Sequence, residues 1–297
     1  MGELRFTVPE TCQGDTVQNF LRRNCGLSWR MVVKLKQVER GITADGEAVR
    51  TIDRLQAGQE VVLRLPEDTV RVEPMDLPLQ VVYEDEHLLI VDKPPYLAVH
   101  PSAGKTDPTL ANIVVAHFAK EGQPLSFRPV NRLDRNTSGL LLAAKNAPAA
   151  YALAGKTEKT YLAIVLGRLE GSGVIDRPIR IKEGCCITRE VGEGGKESIT
   201  HWEALAGDGD VTLVRLRLET GRTHQIRVHM ASMGHPLAGD TMYGTDETVM
   251  PRHGLHCACM SLTHPVTGEF IRVNSPLPAD MRGVLESRGL DVSRWDG

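Results

Sequence analysis

Residues 128–146 read RPVNRLDRNTSGLLLAAKN, a dense polar segment that runs into an apolar one. The apolar run predicts a buried strand over Gly139–Ala144. Asp134 is the single carboxylate of the segment and lies between Arg132 and Arg135. Nearby positive charge favours the ionised form of a carboxyl group, and an ionised, positioned carboxylate can serve as a nucleophile. An ordinary surface network of Asp and Arg in a turn explains the same spacing equally well.

Residues 158–167, EKTYLAIVLG, form a second segment of interest. On a strand here, Tyr161, Ala163 and Val165 share one face, and the aliphatic residues between them share the other. Tyr161 can therefore place a ring and a hydroxyl group in a cleft. A half-buried tyrosine of a sheet is the commoner explanation for such a residue.

Residues 218–240, LETGRTHQIRVHMASMGHPLAGD, form the third segment. They predict the end of a strand, a turn and a helix over Thr223–Met233, whose first residue is the expected cap. Arg227 lies near the start of that helix, where the helix dipole disfavours a cation. We therefore expect a compensating anion, for which Asp134 is the candidate. The alternative is that Arg227 and His224 contact only solvent or nearby carboxylates.

The order of the patterns predicts the fold class. Strand patterns outnumber helical patterns after residue 79 and do not alternate with them regularly, which favours an α+β fold with a mixed, mainly antiparallel sheet flanked by helices and loops. The other predicted strands and helices are Tyr161–Gly167, Thr200–Leu205, Val211–Glu219 and Leu255–Thr263, and Thr109–Lys120 and Ala147–Ala154.

The chain divides into three segments. Residues 1–66 form a first unit in which two helical patterns precede a hairpin at Asp45-Gly46 and a strand. Residues 67–78 are acidic and contain prolines, which indicates a linker. Residues 79–297 form the second, larger unit.

Net charge understates how strongly the chain is patterned. With 35 Lys and Arg against 38 Asp and Glu, the formal charge is −3, which argues weakly against a nucleic-acid partner. Between Phe20 and Arg40, however, six basic residues face one acidic residue, a local charge of +5. From Leu65 to Glu86 the local charge is −6. Both stretches are also explained as solvated faces.

The cysteine pattern and the length of the apolar runs argue against disulfide-bonded, metal-binding and membrane-spanning proteins. The chain has 6 Cys but no apparent secretory signal, so disulfides are not expected. Residues 252–264, RHGLHCACMSLTH, concentrate His and Cys but lack paired Cys-x-x-Cys spacing and read as a strand, so we predict no metal site. No apolar run approaches the roughly 18 residues of a membrane span. A cytoplasmic protein without membrane association is expected.

Taken together, the three segments resemble the three motifs of pseudouridine synthases, in the branch that modifies large-subunit ribosomal RNA and some tRNAs. The resemblance covers roughly residues 79–285, and residues 1–66 resemble the small αL (S-four-like) RNA-binding module of a small-subunit ribosomal protein. The matching stretches are DKPPYLAVHP (92–101), NRLDRNTSGLLL (131–142), KTYLAIVLG (159–167), GRTHQIRVHMASMGHPLAGD (221–240) and LHCACMSLTHPVTGEFIRVNSPLP (255–278).

This resemblance implies an isomerase that breaks the bond between ribose and base nitrogen, rotates the base and rejoins it through carbon, with no cofactor. Asp134 is the implied nucleophile, and it is left open whether it attacks the base or the ribose. Tyr161 is implied to pack on the flipped base and to help remove its carbon-5 proton, and Arg227 to pair with Asp134. The family's first motif usually begins with His where this chain has Asn131, for which we expect a local structural role.

The resemblance also implies a structured RNA partner, from which the target uridine must be flipped out. We expect 23S ribosomal RNA, with tRNA as the alternative, and a monomeric protein. A non-catalytic RNA-binding or ribosome-assembly factor and a hydrolytic nucleosidase are the competing functions. The expected RNA-binding residues of the catalytic unit are Arg132, Arg135, Arg222 and His224, and those of the first unit are Arg22, Arg23, Arg30, Lys34 and Lys36.

Overall fold

The computed structural model describes residues 3–65, 72–101, 107–123, 125–244 and 248–295. The predicted linker, residues 67–78, therefore lies partly outside the described residues. Helices α1–α6 span Val17–Arg23, Trp29–Leu35, Leu110–Lys120, Ala147–Leu153, Gln225–Ser232 and Ala279–Ser287. Strands β1–β16 span Glu3–Thr7, Ile42–Ala44, Glu47–Ala48, Glu60–Arg64, Val81–Glu84, Leu88–Lys93, Arg128–Pro129, Ser138–Ala144, Glu158–Leu166, Ser172–Asp176, Ile179–Ile181, Arg189–Val191, Ile199–Gly207, Val211–Leu218, Leu255–Thr263 and Phe270–Asn274.

The N-terminal residues build a sheet and a core of their own. Strands pair in the order β1-β4-β2-β3, and helices α1 and α2 contribute buried residues to the same apolar cluster. Each helix begins at a hydroxyl residue: Thr16 accepts from the backbone N–H of Asn19 at 3.3 Å, and Ser28 from that of Met31 at 3.2 Å. Such caps satisfy N–H groups that have no partner inside the helix. The predicted order of helix, helix, hairpin and strand is confirmed.

Strand β1 has no counterpart in the sequence-based prediction. Its five residues, ELRFT, are too few for a clear alternation, and it pairs with β4 from Glu3 against Arg64 to Thr7 against Glu60. A pairing between segments so far apart in sequence leaves no local signal, which is why the strand was not expected.

A large mixed sheet carries the rest of the described chain. Its order is β10-β13-β14-β9-β15-β8-β6-β5, with β16 on β15 and β7 on β8. Neighbouring strands are antiparallel except β15 and β8, which run parallel at the centre. The α+β, mainly antiparallel architecture is therefore confirmed. Across the described residues, no helix combines the length and apolar character needed to cross a membrane.

The two faces of strand β9 pack into different apolar clusters. Tyr161, Ala163 and Val165 pack into the main core, whereas Leu162 and Ile164 pack into a second cluster that includes residues of α6. Both faces of the strand are buried, so its position in the sheet is strongly fixed. The two-faced strand predicted from the sequence is confirmed.

Helix α5 begins differently from the prediction. Thr223 does not cap it; the residue before the helix is His224, which has a left-handed backbone (φ 58°) and makes no capping bond through its side chain. The preceding turn is held instead by Gln225, whose side-chain oxygen accepts from the backbone N–H of Arg222 at 2.9 Å. The expected cap is wrong because the turn is closed by the side chain of Gln225, the first residue of the helix.

Gly139 sets how closely β8 approaches β15. Its φ is +104°, and a Cβ atom there would collide with the backbone of Cys257. Glycine is the residue that tolerates both conditions. The loop that carries Asp134 therefore enters β8 tightly against β15.

Candidate active site

Asp134 lies in the loop between β7 and β8, at the mouth of an open cleft. The backbone carbonyl of Asp134 accepts from the N–H of Thr137 at 3.1 Å, which closes a turn. Its side chain keeps 28% of its exposure. The cleft is bordered by residues from β9, β14 and α5 as well as by this loop. The carboxylate is therefore held by the fold while remaining reachable from solvent.

The structure brings Asp134 and Arg227 together, as expected from the position of Arg227 near a helix start. Nη1 of Arg227 donates to Oδ2 of Asp134 at 3.0 Å. Burial alone would lower the pKa of Arg227, but its bonds to Asp240 and Asp134 raise the pKa above its ordinary value. The guanidinium is thus a fixed positive charge beside the carboxylate of Asp134.

Asp240 is a partner of Arg227 that sequence reasoning missed. It accepts from Nε at 2.7 Å and from Nη2 at 2.8 Å, so it holds the guanidinium by two bonds. Burial opposes ionisation, yet these bonds hold the pKa of Asp240 below its usual range. The available signal was the third segment itself, in which Asp240 is the only carboxylate after Glu219.

Tyr161 reaches the same cleft from the middle of β9. It is 5% exposed and lies opposite Cys257 of β15. Burial and then Cys257 raise the pKa of Tyr161 well above its ordinary value. The side chain is therefore a neutral phenol at physiological pH, suited to contact with a base rather than to carrying a charge.

Three of the expected RNA-binding residues border the cleft: Arg132, Arg222 and His224. Arg132 and Arg222 are exposed, and Nε of Arg222 donates to the carbonyl of Glu197 at 3.0 Å. Nε2 of His224 lies 3.8 Å from Oδ2 of Asp134. Burial lowers the pKa of His224, so it is neutral at pH 7.

Arg135 is exposed but does not line the cleft. Its Nε donates to the carbonyl of Tyr96 at 3.0 Å, and Nη2 lies 3.5 Å from a carboxylate oxygen of Asp107. It therefore joins two loops beside the cleft rather than pointing into it.

The five basic residues expected in the first unit lie on or next to α1 and α2, and all are exposed. Among the described residues, none of the five forms a salt bridge, and none borders the cleft. The group consists of Arg22, Arg23, Arg30, Lys34 and Lys36.

Asn131 ties the start of the Asp134 loop to strand β8. Its Nδ2 donates to the carbonyl of Leu140 at 3.3 Å, and its Oδ1 accepts from the N–H of Leu142 at 2.8 Å. The side chain is buried and faces backbone, which fits the structural role expected for it.

Two histidines of residues 252–264, His253 and His256, contact the end of the Asp134 loop. Nε2 of His253 hydrogen-bonds to Oγ1 of Thr137 at 2.9 Å, and Nδ1 of His256 to Oγ of Ser138 at 3.0 Å. Burial, then the nearby Arg227, lowers the pKa of His253 to about 4. Both histidines therefore hold the end of the Asp134 loop in place.

One group of potential metal ligands occurs among the described residues, at Glu84, His117 and Glu121. Glu84 is already neutralised, because it lies 2.6 Å from Nζ of Lys145 and 2.8 Å from Nε2 of His117. The group is explained as an ion-pair network.

The low pKa of His253 leads to a pH-dependent stability. The unfolded chain binds a proton at the ordinary pKa of 6.5, and the folded chain only near 4. Stability from His253 is therefore present above pH 6.5 and is lost as the pH falls towards 4. Between pH 7 and pH 5 we expect His253 to contribute a fall of about 2 kcal/mol in the free energy of unfolding. Urea unfolding of His253→Gln should show a fall smaller by that amount; equal falls in both proteins would contradict the assignment.

Known proteins share this fold. The human protein RNA Pseudouridylate Synthase Domain Containing 1 aligns with a TM-score of 0.56 and 27% identity, covering 74% of this chain and 98% of its own. The human Domain Containing 4 protein, at 20% identity and a TM-score of 0.59, shows the same fold over 71% of this chain and 94% of its own. The fold is therefore that of the RNA-modifying pseudouridylate synthases.

Sequence comparison gives the family. The model described as RNA pseudouridylate synthase matches residues 87–232. Ribosomal large subunit pseudouridine synthase D of Vibrio vulnificus is 37% identical over 311 residues, covering 98% of this chain and 96% of its own. The RNA pseudouridine synthase YjbO of Bacillus subtilis is 37% identical over 271 residues, covering 88% and 95%. The chain belongs to the RNA pseudouridine synthase family, in the branch that includes the large-subunit ribosomal enzymes, and is an isomerase acting on RNA.

Proposed function

We propose that the protein converts specific uridines of 23S ribosomal RNA to pseudouridine, with Asp134 as the nucleophile. The observation that carries this proposal is the bond of 3.0 Å between Arg227 and Asp134 at the mouth of a cleft that Tyr161 also borders. The name of the Vibrio vulnificus relative favours a large-subunit ribosomal target. A tRNA target is the alternative.

The geometry around Asp134 suits a nucleophile. One oxygen, Oδ2, accepts from Arg227, and no donor among the described residues is directed at Oδ1. A carboxylate that keeps one oxygen free retains lone pairs for attack. In the net reaction the C1′–N1 bond breaks and a C1′–C5 bond forms, while the proton leaves C5 and N1 gains one. This balance needs no oxidant, and we expect no cofactor or metal.

Tyr161, Arg132, Arg222 and His224 supply the surroundings of the flipped uridine in this proposal. The buried, neutral phenol of Tyr161 offers a ring face against which the base packs. A flipped base leaves a gap in the RNA stack, and enzymes of this kind meet the cost of a few kcal/mol through contacts to the base and backbone. The exposed guanidinium groups at the rim are suited to bonding phosphate oxygens.

The first unit adds a second RNA contact in this proposal. Residues 1–66 act as the S-four-like RNA-binding domain, residues 67–78 as the linker and residues 79–297 as the catalytic domain. The support is the +5 charge between Phe20 and Arg40 and the exposure of its basic side chains. Two tethered sites of modest affinity bind one RNA more tightly than either does alone. We expect the protein to act as a cytoplasmic monomer.

If α2 contacts RNA, removing positive charge from this helix should weaken RNA binding without changing the reaction rate. Replacing Arg30 and Lys34 by Gln should weaken RNA binding and reduce the slope of log affinity against log salt concentration by about 1 to 2, because each phosphate contact adds nearly one unit. The reaction rate at saturating RNA should stay unchanged. The matched control is Arg5→Gln, since Arg5 already pairs with Glu3 and Glu60. A salt slope equal to that of the wild type would contradict the RNA contact.

The target is tested by a pseudouridine map of total RNA from cells with and without the protein. The proposal predicts that loss of the protein removes one or a few sites from 23S ribosomal RNA and that the wild-type gene restores them. Sites lost only from tRNA would establish the alternative target. An unchanged map would contradict the proposed function.

A further inference from the structure

Asp240 is a fully buried carboxylate that binds Arg227, the residue that pairs with the proposed nucleophile Asp134. Its side chain has 0% exposure, and it meets the guanidinium of Arg227 edge to edge, with bonds of 2.7 and 2.8 Å. Paired N–H···O bonds of this kind fix the orientation of a guanidinium as well as binding it. The geometry of Arg227 is therefore set from the Asp240 side.

Asp240 is itself fixed by backbone. Its Oδ1 accepts from the N–H groups of Met242 at 3.0 Å and Tyr243 at 3.2 Å. The residue before it, Gly239, has a left-handed backbone and packs where a Cβ atom would collide with the backbone of Arg252. The carboxylate consequently has no freedom to follow Arg227 if that side chain moves.

This arrangement determines which N–H group of Arg227 donates to Asp134. With Nε and one N–H of Nη2 taken by Asp240, and with the ring of Tyr243 5.0 Å from the guanidinium carbon, Nη1 is the group left to face Asp134. Asp134 therefore gains one bond, at 3.0 Å, on one of its two oxygens.

We propose that Asp240 is a positioning residue of the reaction: it holds Arg227 so that Asp134 is paired through one oxygen and remains free to attack through the other. Without Asp240, the guanidinium can turn its Nε and Nη2 edge to Asp134 and bond both oxygens, as a planar fork does with a carboxylate. The lone pairs needed for attack are then occupied. This inference rests on the proposed role of Asp134.

The test is Asp240→Asn. An Asn side chain keeps an oxygen for the N–H groups of Met242 and Tyr243 but loses the charge and one acceptor for Arg227. The single-turnover rate of pseudouridine formation should fall about 10- to 100-fold, the size expected when a reacting group is misplaced. RNA affinity should be unchanged, because Asp240 does not reach solvent.

The split between kcat and KM separates positioning from simple loosening of the fold. Misplacement of Arg227 should lower kcat and leave KM unchanged, because Asp240 is buried behind Arg227 and does not reach solvent. A loosened fold would also displace Arg132 and Arg222, which border the cleft, and would raise KM.

A matched control and a second variant complete the experiment. Asp208 also accepts backbone N–H groups and binds an arginine, Arg288, outside the cleft, so Asp208→Asn should leave the rate unchanged. Tyr243→Leu removes both the ring beside the guanidinium and the hydroxyl group that bonds to Nδ1 of His224, so its control is Tyr243→Phe, which keeps the ring. Tyr243→Leu should lower the rate more than Tyr243→Phe does, and this comparison decides the question if Asp240→Asn does not fold.

Full activity in the folded Asp240→Asn protein, or a loss that appears in KM rather than in kcat, would overturn the inference. If Asp240→Asn is unstable, equal activity of Tyr243→Leu and Tyr243→Phe would overturn it. An active Asp134→Asn protein would instead overturn the proposed function, so the two failures are distinguishable.

Discussion

Asp134→Asn should fold, bind RNA and form no pseudouridine. The substitution keeps the size of the side chain and an oxygen for Nη1 of Arg227, which lies 3.0 Å away in the wild type. It removes the charge and nucleophilicity of the carboxylate, and loss of a nucleophile that works as part of a unit removes nearly all chemistry. We expect a fall of at least about a thousandfold in the single-turnover rate. Rate and RNA affinity are measured on the same preparation.

Asp107→Asn is the matched control for this experiment. Asp107 is another carboxylate near an arginine, 3.5 Å from Nη2 of Arg135, and is largely exposed. Its replacement should leave the rate unchanged. Residual activity of Asp134→Asn comparable with that of this control would contradict the role of Asp134.

Arg252→Met should strongly lower the free energy of unfolding. Arg252 is 1% exposed and joins three parts of the chain. It binds Asp280 of α6 by two bonds, of 2.6 and 2.9 Å, and donates to the carbonyl of Asn136 at 3.0 Å. Removing Arg252 leaves a backbone carbonyl without its donor and the partly exposed carboxylate of Asp280 without its partner, at a cost of about 3 kcal/mol. Urea unfolding at pH 7 measures the loss.

Two comparisons define this stability experiment. Arg288 pairs with Asp208 but keeps 26% of its side-chain exposure, against 0% for Arg252, so Arg288→Met should cost at most about 1 kcal/mol. The double variant Arg252→Met with Asp280→Leu should recover part of the loss, because both charges are removed together. A cost for Arg252→Met no greater than that for Arg288→Met would contradict the structural role of Arg252.

Local periodicity was enough to predict the elements that present the site. Strand β15 was predicted at its observed bounds, Leu255–Thr263, and β8 within one residue of its observed start at Ser138. These features depend on neighbours in the sequence, which is why the sequence reveals them. The contact of Arg227 with Asp134 was predicted from the helix dipole.

The remaining features depend on distant contacts. Arg252 reaches Asn136 across 116 positions, and His253 reaches Thr137 across the same separation. A His- and Cys-rich stretch reads as a possible metal site until its partners are known. The two hydrogen bonds between Asp240 and Arg227 likewise form only because the chain turns back after α5. Sequence spacing does not indicate which carboxylate binds which edge of a guanidinium group.

The fate of the hydrogen at carbon 5 of the target uridine distinguishes isomerisation from hydrolysis. RNA labelled with tritium at carbon 5 of uridine is incubated with the protein, and both released tritium and RNA products are measured. Isomerisation forms a bond at carbon 5, so we expect tritium in water, no free uracil and RNA of unchanged length. Free uracil, or RNA that retains all its tritium under wild-type turnover conditions, would contradict it.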